Sequence, residues 1–243
     1  MRLIFLALPL LLASCVTAPS TITSPLSGSS QLLLVTTRDW SAVDGTMQKY
    51  ERRSGTEWQP VGRATPIVVG RTGLAWGKGV VSTIAFHGPR KAEGDGKAPA
   101  GIYRFGKAFG FAAEWPVSHA MPYIELTEAT ECVDDSASQF YNRIVERDKV
   151  SAVDWKSSER MRSVAAYRLG VVVEHNSAAI PRSGSCIFLH LWSGPSRGTA
   201  GCTAMDDAAL ETLVGWLDPA ARPLLVQLPV AEFERLRPIW SLP

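Results

Sequence analysis

Gly184-Ser185-Cys186-Ile187-Phe188-Leu189-His190-Leu191-Trp192, then a short polar loop, then Thr199-Ala200-Gly201-Cys202-Thr203-Ala204-Met205, is the stretch on which the reading of this chain turns. An apolar run of strand character delivers His190, Gly194, Pro195 and Gly198 turn the backbone, and Cys202 arrives just ahead of a helical pattern. In 205–217 the residues Leu210, Leu213, Val214 and Leu217 recur at the i, i+3, i+4, i+7 spacing of one buried helix face. Thr203 followed three residues later by Asp206 resembles a capping box, which puts the helix start next to Cys202. A thiol there faces unpaired N–H groups and the positive end of the helix dipole, both of which favour thiolate, while Asp206 and Asp207 oppose it. Gly201 allows close backbone approach, so the N–H groups around Gly201 and Cys202 can hold an oxyanion. His190 then serves as general base if the loop brings it within hydrogen-bond reach. Taken alone, one cysteine and one histidine read as a buried small hydrophobe and a satisfied core histidine.

Two motifs in sequence order change that reading. The first is His190, a variable loop, then Thr199-Ala200-Gly201-Cys202; the second, upstream, is 93–103, where Pro99-Ala100-Gly101 precedes Ile102-Tyr103. Together they resemble the YkuD-type L,D-transpeptidase family, peptidoglycan enzymes with a cysteine nucleophile, whose signature is a histidine, a loop and Ser/Thr-x-Gly-Cys. The similarity runs over about 32–228. It implies a cysteine-dependent acyl transfer on peptidoglycan stem peptides, with Cys202 as nucleophile, His190 as base and Gly201 at the oxyanion. It also implies that Thr199, His175, Thr203 and the loop carrying His87, Lys91 and Asp95 border the substrate. For Asp95, an ordinary Asp-Gly turn is an equal reading. Two features depart from the family pattern: Leu191 follows the histidine where Gly is usual, and Thr203-Ala204 follow the cysteine where Arg or Asn is usual. Cross-link formation, hydrolysis on the same scaffold and silent wall binding therefore stay open.

The 243 residues, 46% hydrophobic and 20% charged, suffice for one large domain or two small ones. A net charge of +2 gives no reason to expect a nucleic acid partner. Met1-Arg2 and the apolar run 3–12 form an export signal too short for a stable membrane span. Leu12-Ala13-Ser14-Cys15 resembles the bacterial lipobox, which implies lipidation of Cys15, a membrane tether through buried methylenes and a periplasmic location. Val16 in place of aspartate implies the outer membrane in a Gram-negative host. Residues 16–30 have the composition of a flexible tether, so the catalytic domain is expected over 31–243.

Strand patterns occupy 32–37, 46–53, 66–70, 102–105, 121–126, 171–176 and 224–228, helices are few, and no strand-helix-strand alternation recurs. The expected fold is mainly β, a sandwich or barrel with a few helices, one following Cys202. The glycines of 71–79 lack the Gly-Lys-Ser/Thr of a phosphate loop. Residues 136–147 suggest a short surface helix or an irregular excursion, and 131–165 as a whole a lid or platform. With Cys15 set aside, Cys132, Cys186 and Cys202 remain. A Cys132–Cys186 bridge would leave Cys202 free, whereas a Cys186–Cys202 bridge would remove the nucleophile; sequence cannot place the Cα atoms within the bridging limit of about 7 Å. The four histidines, His87, His119, His175 and His190, show no His-x-x-x-His or Cys-x-x-Cys spacing, so no metal or cofactor is expected. Cys15→Ser is expected to abolish palmitate incorporation in a bacterial host, as read by metabolic labelling; undiminished labelling would contradict the lipobox reading.

Overall fold

The computed structural model describes residues 24–53, 56–114 and 121–243. The signal segment with Cys15, most of the expected tether and His119 lie outside the described residues. Packing begins before Gln31: Leu26 is fully buried, and Ser24 Oγ donates to the Trp240 carbonyl (2.6 Å). The described elements are β1 (Gln31–Thr37), β2 (Asp44–Glu51), β3 (Gln59–Val68), β4 (Leu74–Trp76), β5 (Ala98–Gly110), β6 (Tyr123–Glu125), β7 (Thr130–Val133), β8 (Ile144–Glu146), β9 (Ser158–Arg160), β10 (Leu169–Val173), β11 (Phe188–Leu191), β12 (Thr203–Met205), α1 (Asp207–Trp216), β13 (Leu224–Pro229) and α2 (Val230–Trp240).

The uninterrupted apolar run of β1 is buried almost throughout, which suits a central strand. It pairs antiparallel with β2 and parallel with β13, and the sheet continues in the order β10-β11-β12-β3-β2-β1-β13-β5. Closure depends on the 13-residue β5: its Gly101–Arg104 half pairs with β13 and its Phe105–Gly110 half with β10. One strand thus joins both ends of the path and makes a barrel, which leaves no open edge along it. The fold is mainly β, a closed barrel with a few helices, as the strand patterns predict.

Side-chain alternation sorts the strands' residues between two cores. Leu169, Val171 and Val173 of β10, with Leu189 and Leu191 of β11, fill the barrel beside Ile102 and Tyr103. Phe188 points the other way, into a second cluster with Phe109, Leu126, Met161, Tyr167, Cys132, Cys186 and Cys202 on the outer face. The covering layer is 130–167. Its three strands are in the order β8-β7-β9, and of the two expectations for 136–147, a short helix or an irregular excursion, the structure has the second: turns leading into β8. There Asp135 and Ser138 bond to neighbouring backbone N–H groups, the local competition that disfavours a helix. Glu131, 1% exposed, ties the layer internally by accepting from Trp155 Nε1 (2.7 Å), Ser158 Oγ (2.7 Å) and Arg147 Nη1 (3.2 Å).

A disulfide and an asparagine are among the links that fasten this layer to the barrel. Cys132 and Cys186 are bridged with Cα atoms 6.0 Å apart. Asn142 donates to the carbonyls of His175 and Asn176 and accepts from the Cys186 N–H, each at 2.9 Å. Closing a loop with a sequence separation of 54 stabilises the fold by about 4 kcal/mol on the chain-entropy argument. Replacing both cysteines by alanine is therefore expected to lower the urea unfolding free energy by roughly 2–4 kcal/mol. An unchanged midpoint would show that the clamp contributes nothing.

Candidate active site

β11 and β12 run parallel, with Leu189 opposite Thr203 and His190 opposite Ala204. Continuing that register sets Cys202 beside Phe188, and the Phe188 N–H does donate to Cys202 Sγ (3.3 Å). The thiol in turn donates to the Cys186 carbonyl (3.4 Å). Phe188 and His190, two residues apart, share the outward face of β11. Cys202 and His190 are therefore diagonal neighbours on one face of adjacent strands. No hydrogen bond joins them; the thiol is held by the two backbone groups instead.

The Thr-x-Gly-Cys turn has a definite physical content. Thr199 Oγ1 donates to the Cys202 carbonyl (2.6 Å) and accepts from the Gly201 N–H (3.1 Å), closing the loop on itself. The backbone of Thr199 is docked on β3 and its extension through Arg71 N–H to Thr199 O (2.8 Å) and Thr199 N–H to Val69 O (2.9 Å). Gly198 is needed here, since a Cβ would come within 2.4 Å of Arg71 Cα. The Gly201 N–H is committed to Thr199 Oγ1, which leaves the Cys202 N–H as the candidate backbone donor to an oxyanion at the thiol.

The helix start differs from the sequence-based expectation. Thr203 belongs to β12, and Asp206 caps α1 by accepting from Ala209 N–H (2.8 Å). Cys202 is thus separated from α1 by a strand and gains nothing from the helix terminus. Burial pushes its thiol above the ordinary range, and the Glu159 carboxyl adds to this; the Phe188 N–H and Lys91 oppose it. Glu159 is itself raised by burial, although it accepts from Tyr167 Oη (2.6 Å).

His190, 8% exposed, is fixed by Nδ1, which lies 2.7 Å from the Leu191 carbonyl. A carbonyl only accepts, so Nδ1 carries the hydrogen and Nε2 is left with a lone pair. The Tyr167 ring packs edge-on against the imidazole, with centroids 5.3 Å apart. Burial lowers the His190 pKa to about 4, with the Leu191 carbonyl opposing the shift. The ring is neutral at pH 7 and is oriented as a base would be.

The remaining candidates are distributed differently. His175, 2% exposed, has both ring nitrogens engaged: Nε2 with the Ser183 carbonyl (3.0 Å), and Nδ1 with the Lys78 N–H (3.3 Å). Its ring braces two loops and has no free polar atom for a substrate. Asp95 accepts from the N–H groups of Ala92 and Lys97 and from Lys91 Nζ, so it organises its own turn. Thr203 Oγ1 donates to Gln227 Oε1 (2.6 Å) inside the barrel and faces away from the thiol. His87 sits on an exposed loop, where its carbonyl accepts from Trp76 Nε1 (2.6 Å). Three groups that shape the site carried no sequence signal. The Leu191 carbonyl is a backbone atom, and Tyr167 and Glu159 come from a layer without periodicity. Among the described residues no cluster of three or more His, Cys, Asp or Glu side chains could hold a metal ion.

A model of the YkuD family, the L,D-transpeptidase catalytic domain, matches residues 43–228, and the chain belongs to that family of peptidoglycan enzymes. A search of curated proteins found no match. The matched span contains the barrel from β2 to nearly the end of β13, without β1, and also the covering layer, His190 and Cys202.

His175 and His190 are both held near pKa 4, below the ordinary 6.5, chiefly because burial penalises the imidazolium. Between those values the unfolded chain binds more protons than the folded one, so stability is full above pH 6.5 and is lost as pH falls towards 4. The urea midpoint is expected to drop between pH 7 and pH 4.5, and to drop less in His190→Asn. A flat profile would contradict the buried neutral rings.

Proposed function

We propose that the chain is an exported, lipid-anchored L,D-transpeptidase that acts on peptidoglycan stem peptides through a thioester on Cys202. The observation that carries the reading is the tautomer of His190, locked by the Leu191 carbonyl so that its basic Nε2 is free on the face that bears the Cys202 thiol. His190 Nε2 takes the thiol proton as Sγ attacks the amide carbonyl carbon of the stem, and a C–S bond forms. The Cys202 N–H stabilises the oxyanion. The adduct collapses with cleavage of the C–N bond, and His190 returns the proton to the leaving amine. An acceptor amine then attacks the thioester, gives its proton to His190, and Sγ leaves and is reprotonated. Export, the lipobox at Cys15 and the periplasmic outer membrane belong to the same reading and rest on the sequence alone.

One observation favours a second reading, wall binding without catalysis. The thiol is buried, held in its protonated form and bonded to the Cys186 carbonyl rather than to His190. A carbapenem, a stem-mimicking acylating agent, separates the two when intact mass is read on the chain lacking its signal segment. The catalytic reading predicts an adduct that disappears in Cys202→Ala and forms at least 100-fold more slowly in His190→Ala, the lower part of the range for a lost general base. No adduct, together with sacculus binding that survives Cys202→Ala, would replace it with the binding reading.

A further inference from the structure

Lys91 is a lysine whose side chain is 4% exposed, an uncommon place for an ammonium. Its stem passes beneath Gly184, where a Cβ would come within 3.0 Å of Lys91 Cε. Its Nζ donates to Asp95 Oδ1 (2.5 Å) and to the Ala92 carbonyl (2.7 Å). An ammonium has three N–H donors, and the third has no acceptor among the described residues. Nζ borders the turn of the candidate nucleophile: it is 3.9 Å from the position a Cβ would take on Gly201, the residue before Cys202. Asp95 shares its carboxylate between this ammonium and two backbone N–H groups of its own turn, those of Ala92 and Lys97. Two charged groups act on the thiol through space in opposite senses: the Glu159 carboxyl disfavours the thiolate and the Lys91 ammonium favours it.

We propose that Lys91 is an electrostatic positioning residue of this site, whose ammonium, aimed at the Gly201-Cys202 turn, stabilises the negative charge formed there, first on Sγ and then on the oxyanion. The proposal rests on the reading of Cys202 as nucleophile and adds the charge that the strand-bound cysteine cannot draw from a helix terminus. A cation in so dry a place acts with little screening from solvent. The other titratable groups facing the thiol are Glu159 of β9, Tyr167 and, on β11, His190; across Lys91 lies His175. None of them is altered by the variants below.

The test is the rate of iodoacetamide alkylation at Cys202 as a function of pH, read by peptide mass on the full chain with its disulfide intact. Three proteins are compared: wild type, Asp95→Asn, and the double variant Lys91→Met with Asp95→Asn, which removes the ion pair without leaving an orphaned buried charge. The double variant is expected to shift the profile to higher pH and to slow alkylation at neutral pH about tenfold, as for a thiol whose pKa is higher by about one. Asp95→Asn alone keeps the cation and removes its counter-charge, so it is expected to shift the profile to lower pH. A merely structural ion pair would move both variants the same way, and that result, or two profiles identical to wild type, would overturn the proposal. A wild-type thiol that is not alkylated at any pH up to 10 would instead overturn the reading of Cys202 as nucleophile, and the proposal with it.

Discussion

The structure depends on the alternation of side chains along β11. Leu189 and Leu191 enter the barrel and Phe188 and His190 leave it, so four residues join the main core to the candidate site. A shift of one residue would bury the imidazole among leucines and turn two leucines outward, which is why the register of such a strand is strongly specified. β12, parallel beside it, inherits that register and brings Cys202 to the same face as His190. The barrel's closure through β5 fixes β10 and hence β11 in place. The site's geometry is thus a consequence of strand pairing rather than of a flexible loop.

The covering layer is the second constraint. Phe188, Tyr167, Met161 and the disulfide exclude water from around Cys202, and burial makes the thiol a weak acid while it makes His190 a weak base. Both shifts favour the neutral pair over the thiolate–imidazolium pair. Chemistry then needs charge stabilisation supplied at the moment the proton moves, by the Cys202 N–H and by Lys91 across the turn. It also needs an approach for the substrate past the layer pinned by Cys132–Cys186 and Asn142.

Much of this was legible in the chain because the signals were local and dense. Apolar runs marked β1, β10, β11 and β13 and the ends or middle of β3 and β5, and Leu210, Leu213 and Val214 marked the buried face of α1. His190, the glycine-punctuated loop and Thr199-Ala200-Gly201-Cys202 pointed to the candidate pair, His190 and Cys202, which the strand pairing brings to one face. The helix start was misplaced because Thr203-x-x-Asp206 matches a cap pattern while a three-residue strand is too short to announce itself, and the real cap is Asp206. The layer over 130–167 was not legible, since its strands are held by distant side chains: Glu131 with Trp155 and Ser158, Asp154 with Ser138, Asn142 with Cys186. The same holds for His175, whose partners Lys78 and Ser183 come from separate loops. Nothing local distinguishes a histidine that braces two backbones from one that meets a substrate.

The central claim is that a thiol set by strand pairing beside a neutral, oriented imidazole forms the covalent intermediate. The most direct measurement is to mix the protein lacking its signal segment with a stem tetrapeptide and no acceptor, quench in acid and map the peptides by mass. The account predicts an acyl group on Cys202 that hydroxylamine removes and that does not form in the His190→Ala protein. Products formed with Cys202 unmodified, or an acyl group carried by another residue, would contradict it.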